Sequence, residues 1–91
     1  MESRHKTIVH SILAKYPYQF YAYGSRVKGK ISRISDLDLC YQEEIPPLTI
    51  SELREEFKES NLPFEVDLVT WKNMKPWFRE SIQVDLVLLN N

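Results

Sequence analysis

The sequence predicts an α/β domain in which helices pack on a small mixed β-sheet, in the element order α-β-α-β-α-β-α. Apolar residues recur at helical spacing over residues 3–16 and 49–61. Runs rich in aromatic and β-branched residues, bounded by proline or glycine, occupy residues 18–23 and 64–71 and are typical of strands. A length of 91 residues suits one compact domain, residues 1–91.

The first helix and the first strand follow from residues near the start of the chain. Ile8 and Ile12 belong to an apolar stripe that Pro17 terminates, which predicts a helix over residues 3–16. Residues 18–23 are dense in aromatic side chains, as expected of a central strand that is covered on both faces.

A Gly24-Ser25 step follows this strand, as if the strand turns sharply into a helix. Glycine lets the backbone approach a ligand closely, and the N–H groups that begin a helix favour an anion. Residues 26–35 are expected to begin as a short helix and to become a loop at Gly29. Four cations there could contact a polyphosphate or be solvated, and the Arg26 guanidinium suits phosphate: Arg26, Lys28, Lys30 and Arg33.

The second predicted strand, residues 36–41, carries two carboxylates separated by one residue. Asp36 and Asp38 project from one face of an extended chain, and Leu37 and Leu39 project from the other. Two adjacent anions repel each other unless a cation lies between them. Mg²⁺ is usually held by one or two carboxylates together with nucleotide phosphates, so the pair predicts a metal and nucleotide site.

The second half of the chain predicts a helix, a third strand and a further helix. A helix over residues 49–61 would begin with a capping box of Thr49 and Glu52. The strand over residues 64–71 precedes a helix that starts near Asn73, with Pro76 in its first turn and Met74, Phe78 and Ile82 buried. Helical spacing also favours a core position for Trp77. Residues 84–89 fit either an extension of that helix or a short last strand.

Two aspartates are candidates for a third carboxylate of the site. Val84-Asp85-Leu86-Val87 repeats the tetrapeptide Val66-Asp67-Leu68-Val69. Asp67 is favoured because it lies in the middle of a strand after a helical crossover, whereas Asp85 follows a helix.

The spacing of these residues matches a known signature. Gly24-Ser25, ten residues, and then Asp36-Leu37-Asp38 resembles the G-S-x10-D-x-D motif of the polymerase-β-like nucleotidyltransferase superfamily. The surrounding GSRVKG and SDLDL segments are similar to the minimal nucleotidyltransferases, the small antitoxin partners of HEPN-domain toxins. The competing interpretation is an ordinary turn beside two carboxylates at an exposed strand end.

The resemblance implies a nucleotidyltransferase fold with a defined set of site residues. Two Mg²⁺ ions would be held by Asp36, Asp38 and Asp67, and Asp67 could also accept the acceptor's proton. Gly24 and Ser25, with Arg26 beside them, would bind the triphosphate. ATP would donate AMP to a hydroxyl group, a tyrosine by resemblance, on a HEPN-domain protein, neutralising a toxin ribonuclease. A small-molecule acceptor and a non-catalytic binding antitoxin or scaffold remain alternatives.

Composition limits the remaining classes of function and cellular location. The net charge of −1 and the scattered cations argue against binding of extended nucleic acid. No apolar run has the length of a membrane span or a signal peptide, so a cytoplasmic protein is expected. Cys40 is the single cysteine, which excludes an intramolecular disulfide and predicts a buried thiol on a strand. The nucleotide preference and the homo- or hetero-oligomeric state are left open.

Overall fold

A computed structural model describes residues 3–23 and 36–90, and within them it confirms the α/β fold. The elements in chain order are α1 (Ser3–Leu13), β1 (Tyr21–Tyr23), β2 (Leu37–Tyr41), α2 (Pro47–Glu59), β3 (Val66–Thr70), a 3₁₀ turn (Trp71–Asn73), α3 (Pro76–Gln83) and β4 (Val87–Leu88). The helix and loop predicted for residues 26–35 lie outside the described residues. So do the predicted nucleotide ligands Gly24, Ser25 and Arg26.

The four strands form one mixed sheet in the order β3-β2-β1-β4. β2 and β3 are parallel, whereas β1 runs antiparallel to both β2 and β4. A parallel pair needs a crossover connection, and α2 provides it between β2 and β3. β1 lies between β2 and β4, so it is an interior strand, as its aromatic composition predicts.

One face of the sheet carries the larger hydrophobic core. α1 contributes Val9 and Leu13, and α2 contributes Leu53 and Phe57, all fully or almost fully buried. These side chains cover the inward residues of three strands, which include Ala22, Leu37, Leu39 and Leu68. Burying apolar side chains of this size stabilises the fold by roughly 1.5–3 kcal/mol each.

The opposite face carries a smaller core under α3. Its buried members are Tyr23, Cys40, Met74 and Ile82, and Phe78 packs against them from α3. The Cys40 thiol is fully buried on β2, which confirms the buried position expected of it. The core position predicted for Trp77 is wrong. Its side chain is 67% exposed, and its ring contacts Phe78 on the surface of α3.

The start of α2 differs from the prediction. The helix begins at Pro47 rather than Thr49, its N-cap is Pro46, and no side chain caps it, so the capping box of Thr49 and Glu52 is wrong. Proline at the first helical position has a suitable fixed φ angle and lacks an N–H that would need a partner. Pro46-Pro47 thus starts the helix earlier than the capping signal indicated.

The last residues of the chain form a short strand, which resolves the open alternative for residues 84–89. Val87 pairs with Ala22, and Leu88 pairs with Tyr21. The Asn90 side chain extends this pairing, since its Oδ1 accepts a hydrogen bond from the Phe20 N–H at 2.8 Å and its Nδ2 donates to the Tyr18 carbonyl at 2.6 Å. Among the described residues, no helix combines the length and apolar character needed to cross a membrane.

Candidate functional site

Three polar side chains lie in one row across the sheet. Tyr23 of β1 is the register partner of Asp38 of β2, and Asp38 is the register partner of Asp67 of β3. Directly opposed residues of neighbouring strands project from the same face. The structure therefore brings Asp38 and Asp67 together beside Tyr23, on the face that α3 covers.

The apolar residues of the strands determine which face the carboxylates occupy. Leu37, Leu39 and Leu68 are buried in the core beneath α1 and α2. Because strand side chains alternate, Asp38 and Asp67 must project from the other face, and a slip of one residue would bury them. The register continues beyond the strand, since the Leu37 N–H donates to the Glu65 carbonyl at 2.9 Å.

The environment of Asp38 disfavours its charged form. The side chain is half-buried, and burial raises its pKa, with further increases from the negative charges of Asp67 and then Asp36. A buried carboxylate near like charges is stabilised by a cation that binds between them. The site thus has the electrostatic character of a cation-binding site.

Asp36 and Asp85 occupy different positions relative to this row. Asp36 is exposed and immediately precedes β2, and its charge acts on Asp38. Asp85 follows α3, where its N–H donates to the Ile82 carbonyl at 3.0 Å, and it belongs to no strand. The row across the sheet contains Asp67, so the geometry favours Asp67 over Asp85 as the partner of Asp38.

Tyr23 lies beside the candidate site, and the sequence reasoning missed it. Burial, followed by the charges of Asp38, Cys40 and Asp67, raises the pKa of Tyr23 to about 12. Its ring packs edge-on against Phe78 of α3, with ring centroids 5.9 Å apart. The position directly before Gly24 was the available signal, because a residue that ends a strand at a predicted ligand site lies next to that site.

The donor chemistry of the carboxylates suits magnesium. Asp38 and Asp67 offer hard oxygen ligands, and Mg²⁺ commonly uses one or two protein carboxylates and completes its shell with phosphates and water. Within residues 3–23 and 36–90, no cluster of three or more His, Cys, Asp or Glu side chains is arranged as a metal site. Among the described residues, the structure thus brings Asp38 and Asp67 together but does not gather Asp36 with them into a three-carboxylate metal site.

Comparisons with known proteins agree with the fold. The family described as "Polymerase beta, Nucleotidyltransferase" matches residues 7–91. The chain is 41% identical over 93 aligned positions to the "Probable protein adenylyltransferase MntA" of Haemophilus influenzae, and the match covers 98% of this chain and 82% of that protein. A crystal structure described as a toxin-antitoxin with AMP-PNP contains a chain with a similar fold, at a TM-score of 0.68 and 21% identity. That match covers 92% of this chain and 71% of the other.

Proposed function

This chain belongs to the polymerase beta nucleotidyltransferase family, and on that premise we propose that it transfers AMP from ATP to a hydroxyl group of a partner protein. The observation that carries the proposal is the row of Asp38 and Asp67 across parallel strands, beside the strand that leads to Gly24-Ser25. The name of the Haemophilus influenzae relative, a protein adenylyltransferase, supports AMP as the transferred group and a protein as the acceptor.

The proposed reaction breaks one phosphoanhydride bond and forms one phosphodiester. The acceptor oxygen attacks the α-phosphorus of ATP, the bond from that phosphorus to the β-phosphate oxygen breaks, and pyrophosphate leaves. Asp67 accepts the proton of the acceptor hydroxyl, a role suited to a carboxylate within hydrogen-bond reach. Gly24, Ser25 and Arg26 bind the triphosphate.

Asp36, Asp38 and Asp67 are the proposed ligands of two Mg²⁺ ions. When bound, such ions neutralise charge on the phosphates and lower the pKa of the attacking hydroxyl. The carboxylates contribute the negative charge, and the parallel pairing of β2 with β3 holds Asp38 opposite Asp67. The raised pKa of Asp38 supports this assignment, since a nearby cation would offset both the burial and the negative charges of Asp67 and Asp36 that raise it.

We further propose that the acceptor belongs to a HEPN-domain toxin and that AMP transfer neutralises it. A fold like that of a toxin-antitoxin chain is consistent with this partner. The test is incubation of the chain with α-labelled ATP, Mg²⁺ and the HEPN-domain protein. Wild type should label the protein, whereas an Asp36→Asn, Asp38→Asn double variant should not.

A control variant removes a carboxylate that lies outside the row across the sheet. Asp85→Asn removes a carboxylate from the repeated tetrapeptide but leaves the row across the sheet intact, so label transfer should stay within about twofold of wild type. If the wild type transfers no label and the double variant still neutralises the toxin, the chain is a binding antitoxin. Label on a small molecule alone would instead identify a different acceptor class.

A further inference from the structure

Two large apolar side chains are exposed on one side of α3. Trp77 lies in the first turn of the helix and is 67% exposed, and Val84 directly follows the helix and is 85% exposed. Val84 keeps helical backbone angles, with a φ of −71° and a ψ of −19°. Residues seven apart on a helix project in nearly the same direction and lie about 10 Å apart along its axis. Trp77 and Val84 therefore form one apolar stripe, the α3 stripe.

The α3 stripe lies on the side of the helix that faces away from the core. Phe78 and Ile82 belong to the opposite side, where they pack into the smaller core. Glu80 and Ser81 border the stripe, and both are exposed. The Ser81 hydroxyl donates to the Phe78 carbonyl at 2.8 Å, so a partner that covers it leaves no donor unsatisfied. The charge of Glu80 can stay solvated at the rim of an interface, so the stripe is available for contact with another molecule.

Val84 lies near the end of the sheet that carries the carboxylates. β1 ends at Tyr23, the register partner of Asp38. β4 runs antiparallel to β1, with Val87 opposite Ala22, so the chain enters β4 at the end of the sheet where β1 finishes. Val84 is three residues before β4, and the α3 stripe thus runs toward this end of the sheet.

Trp77 is connected to the same end of the sheet through two ring contacts. Its ring packs edge-on against Phe78, and the Phe78 ring packs edge-on against Tyr23, with centroids 5.9 Å apart in each pair. Asp38 and Asp67 project from the face of the sheet that α3 covers. A protein that brings a hydroxyl group to these carboxylates therefore approaches beside α3, within reach of the stripe.

The size of the α3 stripe favours a transient contact with a protein. A nucleobase stacks on one aromatic ring, whereas this stripe has a second anchor about 10 Å along the helix. A stable interface between two copies buries about 1,200–2,000 Å², and a tryptophan supplies only about 150–250 Å² of it. Transient complexes bury less, and tryptophan is enriched among the residues that dominate their affinity. An enzyme that must release its modified acceptor needs a contact of this kind.

We propose that the α3 stripe is the docking surface for the acceptor protein, which covers Trp77 and Val84 with an apolar patch next to its acceptor hydroxyl. Trp77 offers the larger area and is the main anchor, whereas Val84 contacts the acceptor closer to the carboxylates. The inference rests on the proposed function and names the surface that its protein acceptor binds.

Binding without ATP tests the docking surface directly. Biolayer interferometry with the immobilised HEPN-domain protein gives the Kd of each variant. Trp77→Glu should raise the Kd about 10- to 100-fold, as expected for an interface anchor, and Val84→Glu should raise it about three- to tenfold. Unchanged affinity in both variants would overturn the inference, and so would a wild type that does not bind.

Leu48→Glu is the matched control for the added charge. Leu48 is 72% exposed, so this substitution also replaces an exposed apolar side chain by a carboxylate. It lies at the start of α2, which packs on the other face of the sheet. The Kd of Leu48→Glu should stay within about twofold of wild type, and urea unfolding verifies that each variant is folded. Equal losses of affinity in Leu48→Glu and Trp77→Glu would contradict a docking surface on α3.

Two other occupants of the α3 stripe predict different results. A nucleobase stacked on Trp77 predicts that Trp77→Glu raises the KM for ATP and leaves the Kd for the HEPN-domain protein unchanged. A second copy of this chain predicts a dimer in sedimentation equilibrium that Trp77→Glu dissociates. Either result would overturn the inference, which predicts an unchanged KM for ATP and a monomeric wild type.

Failure of this inference can be distinguished from failure of the proposed function. If wild type labels the HEPN-domain protein but the stripe variants bind it as well as wild type does, AMP transfer survives and the docking surface is wrong. If binding depends on Trp77 but no protein is labelled, the docking surface survives and the transferase is wrong.

Discussion

Two tyrosine–carboxylate clusters of this protein have opposite electrostatics. The helix cluster consists of Lys15, Tyr16 and Glu56, and the sheet cluster consists of Tyr23, Asp38 and Asp67. The pKa of the tyrosine is raised to about 12 in both, chiefly by the hydrogen bond to Glu56 in the helix cluster and chiefly by burial in the sheet cluster. The carboxylates differ, because the pKa of Glu56 is lowered whereas that of Asp38 is raised.

Hydrogen bonding accounts for this difference. In the helix cluster, Lys15 Nζ donates to Glu56 Oε1 at 2.5 Å and the Tyr16 hydroxyl donates to Oε2, so both carboxylate oxygens are satisfied. Burial and the neighbouring carboxylates Asp67 and Asp36 act on Asp38 in the opposite direction. A group whose charged form is destabilised at a strand end is a candidate for ligand binding, whereas a satisfied pair contributes to stability.

The largest expected effect comes from neutralising the sheet cluster. Asp38→Asn should lower AMP transfer at least about 10²-fold, because a group that stabilises charge in the transition state is lost. The free energy of unfolding should not fall, since the substitution removes a half-buried charge that faces two other carboxylates. Label transfer from ATP and urea unfolding would measure the two quantities on the same preparation.

Glu56→Gln is the matched control in the helix cluster. It should leave transfer within about twofold of wild type and lower the free energy of unfolding by about 1 kcal/mol, through loss of the ion pair with Lys15. Full transfer by Asp38→Asn would show that the sheet cluster is not the catalytic site, whatever the effect of Glu56→Gln.

A smaller effect is expected on the free energy of unfolding when each of the two tyrosines is replaced by phenylalanine. Tyr16→Phe removes a hydrogen bond to Glu56 and should lower the free energy of unfolding by about 1 kcal/mol. In the described part of the chain the Tyr23 hydroxyl donates no comparable bond to a carboxylate, so Tyr23→Phe should change stability by less than about 0.5 kcal/mol. Thermal unfolding of both variants measures this difference. A larger loss for Tyr23→Phe than for Tyr16→Phe would contradict the contrast between the clusters.

Local patterns were sufficient to predict the fold class and to favour Asp67 over Asp85 as the carboxylate that joins Asp36 and Asp38. Alternation of apolar and polar residues decides the face of a strand, and the helix predicted between β2 and β3 is long enough for the crossover that a parallel pair needs. Tyr23 could not be selected in the same way. It is one of several aromatics in residues 18–23, and only the register of β1 on β2 places it opposite Asp38.

The start of α2 was predicted wrongly, and the structure of residues 84–89 was left open, for different physical reasons. The start of α2 had competing local signals, and Pro46-Pro47 prevailed over the Thr49 capping box because a proline start needs no side-chain cap. β4 has only the residues Val87 and Leu88, which are too few for a periodic pattern. Its existence depends on the free edge of β1 and on the Asn90 hydrogen bonds to Phe20 and Tyr18, which are interactions between distant parts of the chain.

The smallest expected effect is a difference in how stability depends on pH. Glu56 has a folded-state pKa below its ordinary value of 4.5, so its contribution is fully present above pH 4.5 and is lost as the pH falls through the lowered pKa. Asp38 has a folded-state pKa above its ordinary value of 3.8, so the contribution of its protonated form is present below pH 3.8 and is lost as the pH rises through the raised pKa. The two clusters should therefore respond to pH with opposite signs.

Urea unfolding between about pH 3 and 7, in a chelator and without nucleotide, measures how the free energy of unfolding depends on pH. Wild type is compared with Glu56→Gln and with Asp38→Asn. The stability of wild type relative to Glu56→Gln should rise with pH, and its stability relative to Asp38→Asn should fall. Each change should amount to several tenths of a kcal/mol to about 1 kcal/mol, because both side chains are partly solvated. Parallel slopes would mean that Asp38 is as well compensated as Glu56, and the electrostatic reason for a cation at the sheet cluster would disappear.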